Sequence, residues 1–231
     1  MASLGLDSRT RPLMIGASIG TRSGLMGSIG LFAKRKGGRL GFITSPDALG
    51  PLGKDVIGES VFQPGALSQG LSERTRIGTI RAVVTEIDDA SPARYGAFVE
   101  LLEEVSVDTD LPVKVGELRR FKDVSHEPIS LLSPVAKLGC TSGLTFGKIS
   151  AVDLTLRINA GGRTRREFRG LIEIRSGLEP FSLPGDGGAA VFNPDTGYVL
   201  GLIVAGAEGE EPQSYAVPLL PTLERLELVL A

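Results

Sequence analysis

At 231 residues the chain has room for one large domain or two small ones, and for a core that buries most of its apolar surface. A net charge of −2, no tryptophan and few aromatic residues argue against a dedicated nucleic-acid binder, which carries more positive charge and more stacking surface. The N-terminus lacks a charged segment followed by an apolar one, no run of about 18 apolar residues follows, and the single Cys140 excludes an internal disulfide. Neither export nor membrane insertion is expected, and a reducing cytoplasm fits best.

The 31 glycines and 14 prolines are scattered among short Val/Ile/Leu runs, so turns recur and an all-β chain is expected. Residues 1–12 are polar and read as a loosely held arm. Leu13 to Ile19 and Gly27 to Ala33 are apolar strands, and Lys34 to Arg39, with paired glycines, is a hairpin tip that returns as Leu40 to Thr44. Ser45-Pro-Asp-Ala-Leu-Gly50 is a short turn or a single helical turn. Val56 to Gln63, Arg76 to Val84 and Tyr95 to Leu102 complete about six strands. The charged stretch between Glu103 and Lys122 holds the linker. Beyond it, Ser133 to Leu138 and Leu144 to Val152 flank a turn, and Leu154 to Ile158 and Phe168 to Arg175 flank a basic tip. Ser214 to Leu219 is a last strand, and Leu223, Leu226, Val229 and Leu230 recur at helical spacing, predicting a C-terminal helix packed on the second half.

The most distinctive stretch is Phe181-Ser-Leu-Pro-Gly-Asp-Gly-Gly-Ala-Ala-Val-Phe192, followed by the turn Asn193-Pro-Asp-Thr-Gly197 and the apolar run Tyr198 to Gly206. A tight glycine-rich loop thus feeds a hairpin. It resembles the Gly-Asp-Ser-Gly nucleophile loop of trypsin-like serine peptidases. Other pieces in order are similar to a bacterial branch of that family: Gly16-Ala-Ser-Ile-Gly20 with Met26 to Phe32, Ile43 to Gly50, Val61 to Gly65 with Thr75 to Thr79, and Val135 to Val152. The resemblance implies two six-stranded antiparallel β-barrels with a short C-terminal helix. Its parts are the arm 1–12, a first barrel 13–110, a linker 111–122, a second barrel 123–220 and the helix 221–231.

Carried over residue by residue, the resemblance places the family's histidine on Asp47, its triad aspartate on Gly96 and its serine on Gly187. Hydroxyl, base and orienting carboxylate act as a unit, so these replacements imply a catalytically inactive pseudoprotease rather than an enzyme. Such a chain is expected to serve as a binding or regulatory subunit of a bacterial multi-protein system, immune or stress related, with a partner protein encoded nearby. The oxyanion-hole remnant falls on the backbone of Gly185 and Gly187. The cleft is expected to comprise Cys140, Thr141, Ser142 and Gly143, then Asp186 and Gly188, and the strand Ile203, Val204, Ala205 and Gly206, where an extended peptide adds by strand pairing. The alternative in the enzyme class is a peptidase with a displaced nucleophile: Cys140, Thr141 or Ser182.

Other candidates stand beside these. Cys140 and the only histidine, His126, invite a dyad, which requires contact and a depressed thiol pKa. Asp186 accepts from turn amides or pairs with a basic partner. No metal ligand set and no phosphate-cradling loop is present, so neither metal nor cofactor is expected. Two basic clusters, Lys34, Arg35, Lys36 and Arg39, and Arg163, Arg165, Arg166 and Arg169, are either solvated hairpin tips or a contact for an acidic partner or nucleic acid.

Overall fold

A computed structural model describes residues 5–22, 26–35, 37–51, 55–65, 72–87, 92–159, 165–207 and 212–231. Short β-branched and aromatic runs bounded by Gly and Pro become strands throughout. In the first half these are β1 (Leu13–Met14), β2 (Ser18–Ile19), β3 (Gly27–Ser28), β4 (Leu31–Arg35), β5 (Leu40–Thr44), β6 (Ser60–Phe62), β7 (Arg76–Glu86), β8 (Arg94–Leu101) and β9 (Val107–Asp108). In the second they are β10 (Asp123–Val124), β11 (Pro134–Gly139), β12 (Gly143–Asn159), β13 (Arg165–Arg175), β14 (Ala190–Phe192), β15 (Tyr198–Ala207) and β16 (Gln213–Pro218). Helix α1 (Leu220–Leu226) and β17 (Leu228–Leu230) end the chain.

The first sheet runs β17-β4-β5-β8-β7-β6, with every neighbouring pair antiparallel. The second runs β15-β14-β11-β12-β13-β16 and closes on itself, because β16 also pairs with β15; β10 is added in parallel at β15. The architecture is therefore two six-stranded antiparallel β-barrels with one short helix, as the sequence predicts.

The interior of the second barrel is filled by Val135, Ile149, Ile172, Ile174, Val191 and Ile203, and Phe181 plugs one end. A larger core fills the first barrel and continues across the junction through Leu138, Phe192 and Leu202. A third cluster joins Tyr95 of β8 to Phe168, Val204 and Tyr215 of the second barrel, with the Tyr95 and Phe168 rings edge to face at 5.1 Å. The cleft between the barrels is thus floored by continuous packing.

Local readings differ in places. The expected strand Leu13 to Ile19 is split, since Gly16 takes a φ of 80° that turns the chain between β1 and β2. Two expected strands in the second half are one long β12 with register shifts. The helical spacing after Pro221 serves only seven residues, and Glu227, at φ 56°, ends the helix and sends Leu228 to Leu230 into the first sheet. Helix α1 packs on β7 and β8, not on the second half, because Leu223, Leu226 and Leu228 belong to the first-barrel core.

Candidate active site

The loop from Phe181 to Gly188 is built around one buried carboxylate. Asp186 is fully buried, and its Oδ1 accepts from the Thr141 and Ser142 amides at 2.9 and 3.2 Å. Its Oδ2 accepts from the Leu183 amide at 2.9 Å and the Ser142 hydroxyl at 2.6 Å, with Lys137 Nζ at 3.3 Å. Lys137 is also fully buried. Its ammonium contacts Ser142 Oγ, donates to Gly143 O at 3.1 Å and lies 5.8 Å from the Phe181 ring centre. Burial pulls the Lys137 pKa down, and the Asp186 charge opposes that pull. Both readings of Asp186, turn acceptor and ion-pair partner, describe it together.

Ser28 of β3 ties this loop to the first barrel. Its amide donates to Gly187 O at 2.8 Å and its hydroxyl to Gly185 O at 3.0 Å, while accepting from the Cys140 amide at 2.9 Å. The N–H groups of Gly185 and Gly187 donate to no acceptor among the described residues. Gly185 has φ 102° and Gly188 φ 85°, where glycine alone is unstrained. Two unpaired amides thus sit on a partly exposed loop that Ser28 and Asp186 tie down.

Opposite stands the turn after β5, where Ser45 precedes the single 3₁₀ turn Pro46–Ala48. Asp47 Oδ1 accepts from the Tyr95 hydroxyl at 3.1 Å. An ideal Cβ on Gly187 would stand 3.4 Å from Ser45 Oγ and 3.8 Å from Asp47 Oδ2, so position 187 faces both groups across the cleft. Burial raises the Asp47 pKa; the hydrogen-bonding influence of Ser45, the backbone and Tyr95 lowers it in part. The Tyr95 phenol is pushed up by burial and by the Asp47 charge, so it stays a donor. Ser45 is fully buried; its Oγ lies near enough to Asp47 to lower that pKa, yet it makes no hydrogen bond of normal geometry among the described residues.

Gly96, the expected counterpart of the orienting carboxylate, does not reach Asp47. A Cβ there would meet Thr222 Cγ2 and Ile43 Cδ1, whereas Tyr95, one residue earlier, supplies the contact. The Tyr95 backbone is held in place by its amide donating to Thr222 Oγ1 at 3.0 Å.

Of the proposed displaced nucleophiles, Cys140 is buried, its thiol pKa raised by burial, and its Sγ donates to Gly185 O at 3.1 Å. No contact joins it to the exposed His126. Ser182 is buried and shares a 2.7 Å hydrogen bond with Ser214. Thr141 is exposed and donates to Pro184 O at 2.8 Å. On β15, Ile203 is bonded to Gly188 and Ala189, Ala205 and Gly206 pair with β16 and with no other strand among the described residues, and the buried Val204 sits at the register shift between them.

In the basic clusters, Lys36 and Arg163 lie outside the described residues. Arg39 pairs with Glu103 at 2.5 Å and Arg169 with Glu167 at 3.0 Å, which reduces the positive field; Lys34 and Arg35 are exposed on β4, and Arg165 and Arg166 open β13. Among the described residues, no cluster of three or more His, Cys, Asp or Glu is placed to hold a metal, and no helix is long and apolar enough to cross a membrane.

No protein-family model and no curated protein matches the sequence. Solved structures do match. Nocardiopsis protease superposes with a TM-score of 0.66 at 19% identity, covering 94% of this chain and 98% of that one. Cellulomonas bogoriensis chymotrypsin gives 0.64 at 19%, over 95% and 98%. A glutamic-acid-specific serine protease gives 0.66 at 17%, over 95% and 100%. The chain has the chymotrypsin fold. These matches correct the expectation that it is not an enzyme, because the structural neighbours that cover the whole chain are serine proteases. At this identity the likeness carries the fold, so the chemistry of the chymotrypsin-fold cleft rests on its own residues.

Sequence reasoning missed four residues that build this cleft. Ser28 and Ser45 carry no signal beyond being serines next to turns. Tyr95 was absorbed into an apolar run. Lys137 was the legible one, a lone cation inside the strand Val135 to Leu138, where a buried charge requires an acidic partner.

Proposed function

We propose that the chain is a peptide hydrolase of the chymotrypsin fold whose attacking group is displaced from position 187. The observation that carries this is an Asp47 carboxylate of raised pKa, its Oδ2 near the Cβ position of Gly187, beside a loop on which the Gly185 and Gly187 amides are unpaired among the described residues. A base with elevated pKa is matched to work nearer neutrality, and fixed amide donors stabilise charge where it develops. The substrate is an extended peptide or protein segment that pairs with β15 at Ala205 and Gly206, which presents its carbonyl to the amides.

Digestion of a diverse peptide pool by the purified chain, read by mass spectrometry, tests the reading. Cleavage that Asp47→Ala lowers by about 10²–10⁴-fold is expected. No cleavage, or cleavage indifferent to Asp47, overturns it.

A further inference from the structure

The under-bonded groups of the cleft meet at one point. Ser45 Oγ is buried and makes no hydrogen bond of normal geometry among the described residues, and it is the nearest atom to the place a Gly187 side chain would occupy. Asp47 Oδ1 is engaged by Tyr95, leaving Oδ2 as the oxygen turned toward Gly187. The space in front of Gly187 therefore has one hydroxyl and one carboxylate oxygen at its wall. A polar space with several hydrogen-bonding partners is what an ordered water requires. Ser45 itself has no exposed surface through which it would reach a substrate carbonyl.

We infer that the nucleophile is a water molecule seated against Gly187 between Ser45 Oγ and Asp47 Oδ2, so that hydrolysis proceeds without an acyl-enzyme. This rests on the hydrolase reading above. The water oxygen bonds to the substrate carbonyl carbon while its proton passes to Asp47 Oδ2, and the carbonyl π pair moves onto the oxygen held by the Gly185 and Gly187 amides. On collapse the C–N bond breaks, and the proton on Asp47 goes to the leaving amine. One water is consumed, a carboxylic acid and an amine are released, and Asp47 is again ionised. Burial of the carboxylate supports the role, since its raised pKa makes it the stronger base. Tyr95 from β8 and Ser45 from the same turn are the polar side chains that act on it, and no charged side chain contributes to the shift. The glycine at 187 gives the water the room that any side chain would fill.

Gly187→Ala is the sharpest test. The added Cβ makes only ordinary contacts and Gly187 has no positive φ, so folding should be kept while the water is displaced. The expected result is a kcat lowered by about 10²-fold or more with KM nearly unchanged, whereas Ser45→Ala, which keeps the carboxylate, lowers kcat by about tenfold. Intact-mass measurement after fluorophosphonate treatment should give no adduct. Full activity in Gly187→Ala, or a stoichiometric adduct on Ser45, Thr141 or Cys140, overturns the water but leaves the hydrolase reading standing. No hydrolysis by the unmodified chain overturns both.

Discussion

Two carboxylates stand on either side of the Gly185–Gly188 loop and are treated oppositely. Asp186 is saturated: amides, a hydroxyl and the buried Lys137 surround it, and every bond fixes the loop that carries Gly185 and Gly187. Asp47 has one firm side-chain donor, Tyr95, a second oxygen turned toward Gly187, and beside it the Ser45 hydroxyl, which makes no hydrogen bond of normal geometry among the described residues. A satisfied buried network rigidifies, while an under-satisfied one is held ready for a ligand. The contrast assigns the first carboxylate to the frame and the second to the chemistry.

The largest expected effect breaks the frame. Asp186→Ala leaves Lys137 buried and uncompensated and should cost about 3–5 kcal/mol in urea unfolding. Lys137→Met should cost less, because the carboxylate keeps its amide donors. Gly188→Ala comes next. Its φ of 85° and the overlap of a Cβ with Thr44 Oγ1 and the Ser45 amide predict a loss of about 2–4 kcal/mol, against less than about 0.5 kcal/mol for Gly187→Ala one residue earlier. Equal losses at 187 and 188 would dissolve the distinction between an open and a packed position.

A more modest effect on stability is the most telling for chemistry. Tyr95→Phe removes a donor that holds the Asp47 pKa down, so that pKa rises further. A base acts when ionised, so the acid limb of the pH–rate profile should move to higher pH in Tyr95→Phe, at a stability cost of about 1–3 kcal/mol for the unpaired Oδ1. A limb that stays in place, or moves down, would remove Asp47 from the base role.

Much of the architecture was legible because short apolar runs between Gly and Pro have few uses other than strands. Boundaries were not, since Gly16 splits one strand and bulges fuse two others into β12, and neither leaves a periodic trace. The tail shows the limit of periodicity: Leu223 and Leu226 predict a helix, but which barrel receives it is decided by long-range packing. In the site, the loop Pro184 to Gly188 announced itself, while Tyr95 and Ser45 matter only through distances that span half the chain. The inference of an inert subunit failed for a related reason. It counted the residues at aligned positions, Asp47 among them, and had no view of the distances that bring that carboxylate and the Ser45 hydroxyl to Gly187.

The central claim is that Asp47 is the base of a hydrolytic site, and the pH dependence of peptide cleavage by the unmodified chain and by Asp47→Asn tests it most directly. The account predicts that the substitution lowers the rate by about 10²–10⁴-fold and abolishes the acid limb, with the fold intact. An Asp47→Asn variant that cleaves at the unmodified rate with the same pH profile would contradict it.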